Sequence, residues 1–210
     1  MRFISFSIFD PMIRAELTLY KAIKTIVDYV FAISMLILLL PLVIVLAILI
    51  SLPGDGPVIY AQERVGKDGK LFRLYKFRSM NNGENGTHLL SGKNDSRITH
   101  VGRFMRKHKL DEIPNFINIL KGEMSFIGPR PEQKFFTDQL ISKHPEYALI
   151  QTIKPGITSW GQVKFGYASD IDQMTERLEY DLQYLRNRSI LFDLKIAMLT
   201  VGVILRGEGI

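Results

Sequence analysis

The longest apolar stretch of the chain covers residues 29–52, where 24 consecutive residues carry no charge. As one straight helix it would be roughly 36 Å long, enough to cross a hydrocarbon core of about 30 Å. A buried helix of a soluble domain rarely needs such a run. A secretory signal peptide has a shorter apolar region followed by a small-residue cleavage site, and no such site precedes Pro53. The pattern therefore predicts a segment that inserts into a membrane.

Pro41 lies near the middle of this segment and predicts a break in its helix. Basic residues lie on both sides of the segment: Arg14, Lys21 and Lys24 before it, and Arg64, Lys67, Lys70, Arg73, Lys76 and Arg78 after it. Because basic residues near membrane segments prefer the cytoplasmic side, a helix that enters, breaks and returns would keep both groups there. A single span kinked at Pro41 is the alternative interpretation.

The remaining pattern predicts short strands and amphipathic helices. Alternation predicts strands over residues 58–62 and 71–78, with a hairpin turn at 66–69. Helical periodicity predicts helices over residues 102–108, 115–121, 132–143 and 173–187, and an interfacial or domain-packing helix over 190–206. Turn residues predict loops at 53–57 and 81–96.

Together these elements predict an α+β fold with three parts. Residues 1–20 would form an N-terminal extension, and residues 21–52 a membrane-embedded, Pro-broken re-entrant helix. Residues 53–210 would form a small, mostly helical domain with a short β-hairpin and interfacial amphipathic helices.

Composition narrows the chemistry. The 210 residues contain no cysteine, which excludes a disulfide scaffold, a thiolate zinc site, an iron–sulfur cluster and a cysteine nucleophile. The net charge is +6, and residues 53–135 alone hold a surplus of six basic residues. Such a surface would attract phosphates, acidic lipid or nucleic acid.

One acidic pair, Asp111 and Glu112, follows a run of basic residues. Acidic residues at a helix start are usually caps, and that interpretation fits most such pairs. Here the basic neighbours are expected to keep both carboxylates ionised. Adjacent carboxylates can also divide labour, one holding a divalent cation and the other attacking phosphorus.

Two basic motifs accompany the pair. Arg130 lies between two prolines, which fix the backbone and suit a guanidinium that binds phosphate, although a rigid surface turn is the plainer alternative. Lys76 and Arg78 alternate with Tyr75 and Phe77 on the second strand, so both basic groups share one face. A solvated strand face is the plainer interpretation of that pattern. The four histidines show no metal-ligand spacing.

The motifs taken in order resemble one family. They are QxRxG at residues 62–66, KFRSM at 76–80, LDE at 110–112, GEMSFIGPRP at 122–131 and PGITSWGQV at 155–163, after an apolar helix with a central proline. This set closely resembles the bacterial sugar transferases, the monotopic phosphoglycosyl transferases that begin glycan assembly on polyprenyl phosphate. The resemblance runs from about Lys21 to the C-terminus. Many members have Ser-Pro at the helix break, where this chain has Leu40-Pro41.

The resemblance implies a mechanism and a location. Asp111 would be the nucleophile that attacks the β-phosphate of a UDP-sugar, and Glu112, with Asp111, would hold Mg²⁺. Arg130 would bind phosphate, and Lys76, Arg78 and Arg106 would add positive charge. The acceptor would be undecaprenyl phosphate in the bacterial inner membrane, with the catalytic domain on the cytoplasmic face. Membrane lipid is the expected surrounding, and a homodimer stays open beside a monomer.

Two other classes of function compete with this one. A non-catalytic, membrane-anchored adaptor that binds anionic lipid would explain the charge and the apolar helix, but not the ordered motifs. A membrane-tethered nucleic-acid binder would explain the basic and aromatic alternation, yet no recognised module signature is present, so no nucleic-acid partner is expected.

Overall fold

The computed structural model describes residues 11–54, 56–81 and 95–207. Its helices are α1 (Pro11–Leu38), α2 (Leu40–Ser51), α3 (His100–Lys107), α4 (Asn115–Leu120), α5 (Lys134–Lys143), α6 (Tyr147–Ile150), α7 (Trp160–Lys164), α8 (Ile171–Asn187) and α9 (Ile190–Arg206). Its strands are β1 (Ile59–Val65), β2 (Leu71–Phe77), β3 (Ser125–Ile127) and β4 (Gly156–Thr158). The predicted α+β class is confirmed. Residues 1–10 and most of the predicted loop at 81–96 lie outside the described residues.

Helices α1 and α2 form a bent pair with an angle of 62° between them. Taken singly, no helix in the described part of the chain has the length and apolar character needed to cross a membrane; taken together, this pair does. The break falls at Leu39, and Pro41 lies in the first turn of α2 rather than at the break itself. The reason is that proline lacks a backbone N–H and its ring clashes with the preceding helical turn, whereas a first turn tolerates both.

Strands β1 and β2 form the predicted antiparallel hairpin, with Gln62 opposite Leu74. Phe72 and Leu74 on β2 are buried in the core. Because side chains two apart share a face, Lys76 lies on the same inward face as these two residues. The interpretation of Lys76 as part of a solvated face is therefore wrong.

Helices α1 and α2, which we call the membrane-type helices, share one hydrophobic core with the domain that follows them. Ala32 of α1, Leu46 of α2, Ile119 of α4 and Met105 of α3 belong to a single buried cluster with the hairpin. Consequently α1 packs directly against the domain that carries the acidic pair.

The short parallel pair of β3 and β4 was not predicted. Ser125 pairs with Gly156 and Ile127 with Thr158. The two strands approach so closely that a Cβ on Gly156 would overlap the backbone of Gly128. Three-residue strands are too short to show a period in the sequence, so this pairing emerges only from the tertiary structure.

The predicted helices appear with small shifts at their starts. Helix α8 begins at Ile171, because the Asp170 side chain accepts a hydrogen bond from the N–H of Gln173 and caps it. Helix α9 has the predicted bounds. Its Ile196 is buried, while an apolar stripe stays exposed, formed by Leu191, Leu194, Met198, Val201 and Leu205.

Candidate active site

The acidic pair lies in a tight turn between α3 and α4. Lys109, two residues after the end of α3, has a left-handed backbone, φ 58°, and a 3₁₀ turn, Leu110–Glu112, follows it. A left-handed conformation is uncommon for a residue with a side chain and often marks a functional site. The turn buries Asp111 and Glu112, each with 6% of its surface exposed.

Glu112 is held by two cations from distant parts of the chain. Its Oε1 accepts a hydrogen bond from Lys76 Nζ at 2.7 Å and another from Arg130 Nη1 at 3.3 Å. Burial alone would raise the pKa of Glu112, but Lys76, Arg130 and Lys109 outweigh burial and hold that pKa well below its usual range. Glu112 is therefore ionised, as the sequence led us to expect.

Asp111 differs from its neighbour. Burial raises the pKa of Asp111 above its usual range; Lys76, Arg106 and Lys109 oppose the shift, while the charge of Glu112 adds to it. That Asp111 is ionised as well stays a prediction: its basic neighbours favour the charged form, as expected, while burial and the adjacent charge of Glu112 oppose it.

The other two predicted cations lie in different surroundings. Arg106 on α3 donates from Nε to Ser79 Oγ at 3.2 Å, and its charge lowers the pKa of Asp111. Arg78 donates from Nη2 to the main-chain oxygen of Ile50 at 2.8 Å, next to the end of α2. The structure thus brings Lys76, Arg106 and Arg130 to the acidic pair, whereas the contact of Arg78 is with the end of the membrane-type helix.

A buried ionic network supports the turn that carries Arg130. Glu132 accepts from Arg177 Nη2 at 2.7 Å and from Arg64 Nη1 at 3.2 Å, and Arg64 also donates to the carbonyl of Pro131. Asp181 lies 4.0 Å from Arg177. These four charged residues received no role from the sequence, because the partners of Glu132 lie far from it in the chain; the QxRxG motif and the position directly after GEMSFIGPRP were the available signal.

Asn118 explains why Lys76 points at Glu112. Its side-chain Nδ2 donates to the carbonyl of Arg73 at 2.7 Å, and its Oδ1 accepts from the N–H of Tyr75 at 3.1 Å. A fully buried amide thereby ties α4 to β2 just before Lys76. This side chain was also missed from the sequence, where an asparagine in a short helix carries no distinctive pattern.

A cavity of about 340 Å³ adjoins Glu112 of the acidic pair. Its charged end is lined by Lys109, Glu112, Arg130 and Arg177. Its apolar wall comes largely from α1 and α9, through Phe31, Met35, Leu39, Ala197, Val201 and Ile204. Such a cavity suits a ligand that has a phosphate at one end and a hydrocarbon chain at the other.

The donor set around the pair bears on metal binding. Among the described residues, no group of three or more acidic or histidine side chains is arranged to hold a metal ion. The pair offers two carboxylates, and one oxygen of Glu112 is already engaged by Lys76 and Arg130. Mg²⁺ is commonly held by one or two carboxylates together with the phosphates of a substrate, so this set fits Mg²⁺ only in that form.

Comparison with known proteins decides the family. The model of the family described as bacterial sugar transferase matches residues 19–207. The chain belongs to this family. The match covers α1 from residue 19 onward, α2, the acidic turn and both ionic clusters.

Three curated relatives illustrate the likeness. A UDP-N-acetylgalactosamine-undecaprenyl-phosphate N-acetylgalactosaminephosphotransferase of Aeromonas hydrophila is 43% identical, over 91% of this chain and 45% of its own length. The UDP-glucose:undecaprenyl-phosphate glucose-1-phosphate transferase of Escherichia coli (strain K12) is 41% identical, over 86% of this chain and 40% of its own. The Caulobacter vibrioides protein of that same name is 35% identical, over 87% of this chain and 69% of its own length. The chain therefore spans less than half the length of the first two.

Proposed function

We propose that this chain transfers a sugar 1-phosphate from a UDP-sugar to undecaprenyl phosphate and releases UMP, the first step in assembling a bacterial glycan. The observation that carries the proposal is the buried Asp111–Glu112 pair held by Lys76 and Arg130. Membership of the family and the names of its relatives support it.

In the first half-reaction, a carboxylate oxygen of Asp111 attacks the β-phosphorus of the UDP-sugar. The bond from that phosphorus to the bridging oxygen breaks, and UMP leaves with that oxygen. A sugar-phosphoryl aspartate remains, so one difficult transfer becomes two easier ones. Arg130 supplies a guanidinium that neutralises charge on the phosphoryl oxygens, while Lys76 and Arg106 add to the positive field.

In the second half-reaction, a phosphate oxygen of undecaprenyl phosphate attacks the same phosphorus and frees the Asp111 carboxylate. The product is a lipid-linked sugar diphosphate. The cavity supports this step, because its charged end lies at Glu112 and Arg130 while its apolar wall belongs to α1 and α9. The lipid phosphate can thus reach the site while its chain stays among apolar side chains.

Mg²⁺ would be held by Asp111 and Glu112 together with the diphosphate of the donor. When bound, it supplies charge neutralisation on the phosphates. The low pKa of Glu112 favours this role, since an ionised carboxylate is the form that binds a hard cation.

We also propose that α1 and α2 enter and leave the cytoplasmic leaflet of the inner membrane as a re-entrant pair. Their 62° bend and the basic residues on both sides support this arrangement. It keeps the acidic pair on the cytoplasmic side, where UDP-sugars are found, and near the level of the lipid phosphate.

Purified protein with Mg²⁺ and undecaprenyl phosphate should release UMP from at least one member of a UDP-sugar panel. Asp111→Asn should abolish the release, because an amide cannot attack phosphorus, while Asp138→Asn, an exposed site on α5, should leave it intact. If neither Asp111→Asn nor the wild type differs from a blank, and the protein still binds anionic vesicles, the adaptor hypothesis replaces this proposal.

A further inference from the structure

A second cluster of polar side chains, apart from the acidic pair, joins α1 to α8 and α9. Lys24 Nζ is 2.9 Å from Asp193 Oδ2 on α9 and 3.9 Å from Asp28 Oδ1 on its own helix. The hydroxyl of Tyr184 on α8 donates to Asp193 Oδ1 at 2.8 Å, and the hydroxyl of Tyr20 donates to Oδ2 at 3.0 Å. We call these five side chains the α1 clamp. The clamp joins three helices through charge-assisted hydrogen bonds.

The clamp also reaches the strand that leads to Arg130. Asp28 Oδ1 accepts the main-chain N–H of Phe126 at 3.1 Å, and the Tyr184 hydroxyl lies 3.4 Å from the carbonyl of Ile127. The ring of Phe31, one turn along α1, lies 4.5 Å from the ring of Phe126. Strand β3 is therefore held by α1 at Phe126, shortly before the turn that presents Arg130 to Glu112.

Apolar packing alone would not fix the position of α1 along its own axis relative to the domain. A helix covered with similar aliphatic side chains can slide by a turn at little cost, because one apolar contact replaces another. A buried carboxylate that accepts one particular main-chain N–H permits a single register, since any slide leaves it unpaired. Ionisable groups in membrane-type helices are costly to bury, and they are commonly kept for function.

The hydrogen bonds that hold Glu112 and Glu132 involve α1 only indirectly. Glu112 is held by Lys76 and Arg130, and Glu132 by Arg64 and Arg177; none of these bonds includes an atom of α1. The cavity wall, in contrast, includes Phe31 and Met35 of α1 and Leu39 at the break that follows it. A shift of α1 would thus alter the path of the lipid more than the site of the nucleotide sugar.

We propose that Asp28 is a positioning residue that sets α1 against β3, and that the second half-reaction depends on it. This inference rests on the function proposed above. The clamp holds the lipid-facing wall of the cavity in register with Arg130, so that the phosphate of undecaprenyl phosphate meets the sugar-phosphoryl aspartate. The first half-reaction, which uses a water-soluble donor, proceeds without it.

The two half-reactions can be measured separately. Stoichiometric UMP release in the absence of lipid reports the first, and the KM for undecaprenyl phosphate during turnover reports the second. Asp28→Leu removes the acceptor for the Phe126 N–H and should raise the lipid KM by about tenfold, with UMP release unchanged within about twofold. Asp28→Asn keeps an oxygen in that place and should restore a lipid KM close to that of the wild type.

Asp138→Leu on α5 is the matched control, an exposed aspartate whose loss should change neither quantity. Equal loss of both half-reactions in Asp28→Leu, or an unchanged lipid KM, overturns the inference. Should Asp28→Leu fail to fold, Tyr184→Phe decides instead: the lipid KM rises about threefold if the clamp acts as described and stays constant if it does not. A wild-type protein that releases no UMP would overturn the proposed function itself, which is a different result.

Discussion

The ammonium of Lys76 lies 2.7 Å from Oε1 of Glu112, although 36 positions separate the two residues in the chain. With Arg130 on the same oxygen, this contact keeps Glu112 ionised. An oxygen so engaged is a poor nucleophile, and in the proposed mechanism the ionised Glu112 helps to hold the cation instead. Asp111, whose pKa shifts the other way, is the proposed nucleophile. The proposed division of roles between the two adjacent acids thus rests on their different neighbours.

Arg130→Lys should lower kcat/KM for UMP release by about 10²-fold, the scale of losing one preorganised donor to a developing negative charge. A lysine keeps the charge but not the planar fork that meets Glu112 and phosphate together. Steady-state kinetics with the preferred UDP-sugar provide the measurement. Arg103→Lys, an exposed position on α3, is the control and should stay within about twofold. An Arg130→Lys enzyme as active as the wild type would remove Arg130 from phosphate binding.

The pH dependence of the first half-reaction should have an acidic limb above the usual range of an aspartate, about pH 4. Asp111 must be deprotonated to attack, and its raised pKa means that activity is gained as pH rises through a higher value. Lys76→Met should move the limb to still higher pH, because Lys76 lowers the pKa of Asp111. The profile of kcat/KM against pH tests both statements, and a limb that moves to lower pH in Lys76→Met would contradict them.

Glu132→Gln should destabilise the fold by about 3–5 kcal/mol, the usual cost of breaking a buried ion pair from one side. The amide would leave Arg64 and Arg177, both strongly buried, without their shared anion. Thermal unfolding in detergent provides the measurement. Asp138→Asn breaks an exposed pair with Lys134 and should cost less than about 1 kcal/mol. Equal melting temperatures for the two variants would show that the network contributes little.

Gly156→Ala should destabilise the protein by about 1–3 kcal/mol, because the added Cβ would overlap the backbone of Gly128 where β4 meets β3. Gly202→Ala is the control. Its Cβ would meet only the end of the flexible Arg206 side chain, at 3.3 Å, and alanine suits the interior of α9. Unfolding of both variants under the same conditions separates the two cases. A neutral Gly156→Ala would mean that β3 and β4 can move apart freely.

The re-entrant arrangement predicts that both ends of the α1–α2 pair face the cytoplasm. The chain contains no cysteine, so single cysteines placed at Lys21 and Gly54 can be labelled without background. In inverted inner-membrane vesicles, whose cytoplasmic side is outermost, an impermeant maleimide should label both. Labelling of one position only would favour a kinked single span instead.

Local patterns in the sequence were sufficient for the elements that depend on near neighbours. Three patterns each depend on a few adjacent side chains: the charge-free run at 29–52, the alternation in the two strands of the hairpin and the periodicity of residues 190–206. The ordered motifs were sufficient for the family, and they marked Asp111, Glu112 and Arg130 as candidates. Even the break in the apolar helix was placed within two residues of Leu39.

What only the tertiary structure decided is which charges meet. Lys76 and Arg78 look alike on the predicted strand, yet Lys76 contacts Glu112, whereas Arg78, which lies just beyond the end of β2, contacts the carbonyl of Ile50. The pKa values of Asp111 and Glu112 also diverge only in the folded chain, because burial and charged neighbours are set by folding. The sequence by itself determined the longer elements and the chemical groups; long-range packing determined the β3–β4 pairing and the distances between the groups, and electrostatic interactions depend on distance.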